Sequence, residues 1–194
     1  MTDDVPRAFL ACRLPRAAQG DLVRRLADVR RGASARCYRW VRPEHWHLTL
    51  RFFGALPATR FLSVDTALAS VASDTAAFAC SLTAPRALPS WRQPNVVAFG
   101  VASGGALESL VERLGAALVD TLGAPDKPFL PHLSVLRLRR PRTSEVERVR
   151  VAFGEIDVAA TPAFELTSMV LYRSDLLREG PRYTALRVYG FRPS

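Results

Sequence analysis

The sequence predicts an α+β protein, two sheet-and-helix lobes fused into one compact unit, with two mainly antiparallel sheets flanked by helices. Three observations predict it. Strand, helix, strand, strand, helix recurs in similar order in the two halves of the chain. The connections are short, which favours antiparallel neighbours. No linker-like or low-complexity stretch interrupts the 194 residues, so positions 1–194 are expected to form a single bilobal domain.

The elements follow in order. Residues 7–14, an apolar run closed by Pro15, read as a buried strand. Leu22, Val23, Leu26 and Val29 recur at helical spacing among arginines, so 17–29 is an amphipathic helix that Gly32 ends. Residues 36–41 and 45–53 read as strands separated by Arg42-Pro43-Glu44, with Glu44 at the surface. A helix over 58–72 buries Phe61, Leu62, Leu68 and Val71. Strands follow at 77–84 and 95–102, the second apolar enough for a central position. Gly104-Gly105 opens a helix over 106–121 with Leu107, Leu110, Val111, Leu114 and Leu118 on one side. A turn-rich stretch at 123–128 leads to a strand at 129–138. A short helix near 144–151 and strands at 163–172 and 182–191 complete the chain.

Composition narrows the function classes. Apolar residues make up 48% and charged residues 23%, a globular balance with enough length for a substantial core. No apolar run approaches the ~18 residues of a membrane span, so no membrane role is expected. The acidic opening Met-Thr-Asp-Asp-Val-Pro lacks the apolar stretch of a secretory signal, so a cytoplasmic location is expected. Twenty-seven basic residues, all arginine except Lys127, face 18 acidic ones for a net charge of +9. That excess suits a polyanionic partner, and arginine suits bidentate phosphate contact, although Arg- and Ala-rich codon usage produces the same bias. Cys12, Cys37 and Cys80 are odd in number and form no CxxC pair, which predicts reduced thiols rather than disulfides or a zinc knuckle.

The chemistry lies in the histidines. Of only three, two open similar tetrapeptides, His47-Leu48-Thr49-Leu50 and His132-Leu133-Ser134-Val135. Both lie in predicted strands, where residues i and i+2 share a face. Each therefore projects an imidazole and a hydroxyl together, while its apolar pair turns to the core. Two imidazoles and two hydroxyls converging on one cleft suit the breakdown of a phosphodiester. One neutral histidine takes a proton from the attacking group and the other, protonated, donates to the departing oxygen. The hydroxyls donate to non-bridging phosphate oxygens. This scheme requires no metal and no cofactor. A lone His in a strand is usually structural, but two matched copies make a functional pair the better reading.

These motifs resemble the two-histidine phosphoesterase superfamily, and within it the RNA 2′,3′-cyclic phosphodiesterases, historically called 2′-5′ RNA ligases. The resemblance spans nearly the whole chain. Arg7–Pro15 is similar to the opening strand, Trp40–Gly54 to the first signature, Pro89–Val101 to the middle strand, Pro128–Arg137 to the second signature, and Leu171–Ser174 with Gly180–Leu186 to the ending. It implies a bilobal, pseudo-twofold fold with the motifs facing each other across a central active-site groove. It also implies roles: His47 as proton donor to the leaving 3′ oxygen, His132 as proton acceptor from water, and Thr49 and Ser134 holding the phosphate. The product implied is a 2′-phosphate end, and the partner an RNA or oligonucleotide with a 2′,3′-cyclic phosphate terminus. Ser134 stands where Thr is more usual and keeps the hydroxyl. His45 stands where Asn is common; a His45–His47 metal pair lacks a nearby acidic third ligand, so His45 reads as a supporting or surface residue.

Further candidates are an aromatic platform for the base drawn from Phe52, Phe53, Trp91, Tyr172 and Tyr183, with Phe53 and Tyr183 foremost, and positive charge from Arg137 and Arg182. A monomer is expected because the two lobes complete the site. Competing functions are 2′-5′ RNA ligation at the same site, turnover of other cyclic phosphates, and a non-catalytic RNA-binding module whose affinity is salt-dependent and indifferent to histidine replacement.

Overall fold

A computed structural model describes residues 4–32, 36–125, 127–177 and 180–193. Along the chain run β1 (Val5–Arg13), α1 (Arg16–Gly32), β2 (Tyr38–Trp40), a 3₁₀ turn (Pro43–His45), β3 (His47–Leu56), α2 (Ala58–Ser73), β4 (Phe78–Leu88), β5 (Val96–Ala102) and α3 (Ala106–Leu122). There follow β6 (His132–Leu138), α4 (Thr143–Gly154), β7 (Phe164–Leu166), β8 (Ser168–Leu177) and β9 (Gly180–Gly190).

The strands form a nine-stranded sheet in the order β7-β4-β5-β6-β3-β1-β8-β9, with β2 on β6. All pairings between these strands are antiparallel. The two expected sheets are thus two halves of one, joined where β3 meets β6. Leu62, expected on the buried side of α2, is 74% exposed, and Val64 is buried instead because Phe61, Val64, Leu68 and Val71 follow the helical stripe. Strand bounds differ as well, and three of these differences have a clear cause in the backbone. The expected strand at 163–172 breaks at Thr167, sending β7 to β4 and β8 to β1, because the chain changes partners there. The strand expected from 129 starts at His132, since Pro128 and Pro131 offer no N–H to a ladder. The strand expected from 45 starts at His47, because Pro43–His45 close a tight turn in which Trp46 N–H donates to the Pro43 carbonyl at 3.0 Å. Asp126, within the expected 123–128 turn, lies outside the described residues.

The sheet curls until its edges meet. Ala76 bridges Arg192, the Ala77 N–H donates to the Arg192 carbonyl at 2.7 Å, and Phe78 stacks on Phe191 at 5.9 Å. All four helices bury their apolar stripes on one face of this sheet. α3 illustrates why: Leu107, Leu110, Leu114 and Leu118 are each at most 1% exposed, at i, i+3, i+7 and i+11 spacing. Each such burial contributes ~1.5–3 kcal/mol. Gly105 precedes that helix at φ +92°, a conformation that a side chain disfavours. Cys12 and Cys80 are buried and all three cysteines are free thiols. Among the described residues, no helix is long and apolar enough to cross a membrane.

The main core includes Leu10, Cys12, Leu48, Leu50, Leu133 and Leu136 beneath the helices. A second cluster of Phe9, Ala11, Val170 and Tyr172, with Tyr183 against it, comes from the alternate positions of β1 and β8 and so occupies the other face. That face is concave and free of helices.

Candidate active site

The two halves of the sheet join through the antiparallel pair Leu48↔Leu133. Both leucines are buried in the main core, at 1% and 0% exposure. Continuing the register by one residue each way sets His47 beside Ser134 and Thr49 beside His132. Because strand side chains alternate, these four residues all project from the concave face. Each histidine faces the hydroxyl of the opposite motif.

Both imidazoles are anchored in the same way. His47 Nδ1 lies 2.6 Å from the His45 carbonyl, and His132 Nδ1 lies 2.7 Å from the Leu130 carbonyl. A carbonyl only accepts, so each Nδ1 carries the hydrogen and Nε2 is left as the nitrogen that exchanges protons. The carbonyl comes two residues earlier in both cases. For His47 it belongs to the 3₁₀ turn, so His45 stands just outside the strand that carries His47. The His45 ring lies 4.9 Å from that of Tyr183. Among the described residues, no group of three or more His, Cys, Asp or Glu is placed to hold a metal ion.

Bulges extend the site beyond the tetrapeptides. A register shift between Leu10 and Ala11 leaves Leu50 unpaired with β1, so Leu50 and Arg51 are both buried and Phe52 emerges on the groove face. Its ring lies 6.0 Å from Phe9 and is 74% exposed. A shift between Val97 and Ala98 likewise buries both Val135 and Leu136 and returns Arg137 to the groove. The hairpin of β8 and β9 arches over this floor. Tyr183 meets Phe9 edge-on at 5.0 Å and His47 at 5.4 Å, and Arg137 lies close enough to act on its hydroxyl electrostatically.

Electrostatics follow from this crowding. Burial pushes the His47 pKa down to about 4; its carbonyl partner opposes the shift, and the positive charge of Arg137, His45 and His132 adds to it. Burial also lowers the pKa of His45 and raises that of Tyr183, the latter moderated by Arg137.

The structure thus brings His47, His132, Thr49, Ser134, Arg137 and Tyr183 together. It does not bring Phe53, Trp91 or Arg182. Phe53 packs against the main core beneath the Arg51 guanidinium, because the bulge at Leu50 reverses the expected alternation. Trp91 also packs on that core. Arg182 projects from the face of β9 opposite Tyr183 and pairs with Asp175 at 3.4 Å. Sequence reasoning assigned Phe9 to a buried strand with no site role; alternation along β1 sets it on the face opposite Leu10, and the bulge in β3 brings Phe52 beside it.

A concave face carrying two opposed His-x-Thr/Ser motifs defines a two-histidine phosphoesterase, and the chain belongs to the LigT-like phosphoesterase family, whose model matches residues 13–98 and 100–183. A relative named RNA 2′,3′-cyclic phosphodiesterase in Methanothermobacter thermautotrophicus is 28% identical, covering 94% of this chain and 97% of that protein. A relative of the same name in Thermus thermophilus is 30% identical over 96% of this chain and 90% of its own. The crystal structure of TT0787 of Thermus thermophilus superposes with a TM-score of 0.78 at 27% identity, covering 97% of this chain and 99% of that one.

Proposed function

We propose that this protein hydrolyses the terminal 2′,3′-cyclic phosphate of RNA to a 2′-phosphate, by histidine acid–base catalysis without a metal. One observation carries the reading: the Leu48↔Leu133 pairing, which sets both imidazoles and both hydroxyls on one face with each Nδ1 occupied. The names of the relatives support the choice of bond, and the net charge of +9 suits a polyanion.

Neutral His132 takes a proton from water at Nε2 as the water oxygen bonds to phosphorus. The P–O3′ bond breaks, and His47 Nε2–H delivers its proton to O3′, leaving the 3′-hydroxyl and the 2′-phosphate. Thr49 and Ser134 donate to the non-bridging oxygens, where negative charge grows as phosphorus becomes five-coordinate. Arg137 adds positive charge, and Tyr183 and Phe52 offer rings to the base. With a pKa of about 4, His47 is neutral in the empty groove at pH 7. An anionic phosphate beside it favours the imidazolium, so substrate and proton bind together.

The test is turnover of an oligoribonucleotide ending in a 2′,3′-cyclic phosphate, in EDTA, with the product ester identified by phosphorus NMR. A 2′-phosphate product and loss of roughly 10²–10⁴ in rate in His47→Ala and in His132→Ala are expected. Wild-type rates in both variants would refute the assignment.

A further inference from the structure

The β4-β5-β6 part of the sheet carries a second polar group that the acid–base scheme leaves unused. The register aligns Gly100 with Thr83 and His132, and Ala98 with Arg86 and Ser134. Paired residues project from the same face of a sheet, so Thr83 and Arg86 share the groove face with His132 and Ser134. A Cβ placed on Gly100 would lie 2.8 Å from Arg86 Nη2 and 3.3 Å from its Cζ, and would also collide with the Thr83 hydroxyl. The guanidinium therefore lies over the bare backbone of Gly100, on the strand next to His132. Only glycine permits so close an approach.

Among the described residues Arg86 makes no hydrogen bond and no ion pair, although it is half-buried. Other arginines at comparable depth are tied down: Arg25 holds Asp21 at 2.7 Å and Arg113 donates to Thr75 at 2.9 Å. Holding a cation partly out of water without a partner costs free energy, which an arriving anion offsets. On the phosphodiesterase reading the reacting phosphorus would lie between β6 and β3, whereas the guanidinium lies over β5. At ~4.8 Å per strand the separation is ~7 Å, too far for one phosphate to serve both and close to one nucleotide step.

We propose that Arg86, with the Thr83 hydroxyl, binds the phosphodiester on the 5′ side of the cyclic-phosphate nucleotide. The preferred substrate is then a chain of two or more nucleotides, its terminal base toward Phe52 and Tyr183 and its 5′ backbone crossing Gly100 toward β4. This rests on the phosphodiesterase reading above.

The test compares kcat/KM for a nucleoside 2′,3′-cyclic monophosphate with that for a dinucleotide ending in the same nucleoside and cyclic phosphate. The wild type should favour the dinucleotide by about tenfold, the scale of one charge-assisted hydrogen bond. Arg86→Gln should abolish most of that preference, and Arg86→Lys should keep part of it. A dinucleotide with a neutral methylphosphonate linkage should show no preference in the wild type. Equal losses on both substrates in Arg86→Gln would move the residue to the cyclic phosphate itself and overturn the proposal. A wild type indifferent to the added nucleotide would overturn it while leaving the phosphodiesterase reading intact. Failure of the wild type on both substrates would remove both.

Discussion

Phe52 and Arg137 occupy equivalent places in the two halves of the sheet. Each is the fifth residue after its histidine, and each reaches the groove because a bulge buries the two residues before it. The equivalence is geometric only. One half offers a ring and the other a charge, so a nearly symmetric scaffold presents an asymmetric surface to its ligand.

Phe52→Ala should raise KM about tenfold, the scale of one base–aromatic stack, with little change in kcat. The ring is largely exposed, so the melting temperature should hardly move. Phe53→Ala should do the reverse, losing about 2 kcal/mol of stability because its ring packs on the core. Steady-state kinetics alongside thermal melts of the two neighbours would separate them, and interchanged effects would contradict the bulge.

Leu133→Ala removes a fully buried side chain at the seam between the halves and should cost about 3 kcal/mol in a denaturant titration. Leu48→Ala should cost a similar amount. The two are paired, so the double variant should lose less than the sum. Additive losses would show that the leucines do not pack as one unit.

The lowered pKa of His47 makes stability depend on pH. The unfolded imidazole titrates near its ordinary ~6.5, whereas the folded one titrates at about 4. Between those values the unfolded chain binds more protons, so stability is full above the unfolded pKa and falls as pH drops toward the folded one. The loss attributable to this group should be on the order of 1–2 kcal/mol at about pH 5. His47→Gln should flatten that part of the stability–pH curve; an unchanged curve would contradict the lowered pKa of this ring.

Ligand binding should show the same linkage with opposite sign. If phosphate draws a proton onto His47, binding a non-hydrolysable phosphate analogue at pH 7 takes up protons, and affinity weakens as pH rises. Calorimetry in buffers of differing ionisation enthalpy measures the uptake. His47→Gln should reduce it, and no uptake by the wild type would mean that His47 stays neutral in the complex.

Ser134→Thr should keep most activity, because the hydroxyl on the groove face is retained. Thr49→Ala and Ser134→Ala should each lose on the order of 10²-fold in kcat, the cost of removing one donor to a developing oxyanion. Rates of the three variants on one cyclic-phosphate substrate decide the matter, and an inactive Ser134→Thr would count against a phosphate-binding hydroxyl.

Local pattern alone determined much of this protein. Period-two alternation in His47–Leu50 and His132–Val135, and 3.6-residue spacing in α1 and α3, are short-range consequences of backbone geometry, so the motif histidines, their hydroxyls and the helix faces are legible from residue order. Which half-sheet each strand joins is a long-range matter. The split at Thr167, the bulges that exchange Phe53 for Phe52, and the seam that sets His47 beside Ser134 depend on pairing between segments far apart in the chain. Arg86 shows the difference most plainly: in sequence it is one of many arginines, and only the bare backbone of Gly100 on the next strand gives its guanidinium a place in the groove.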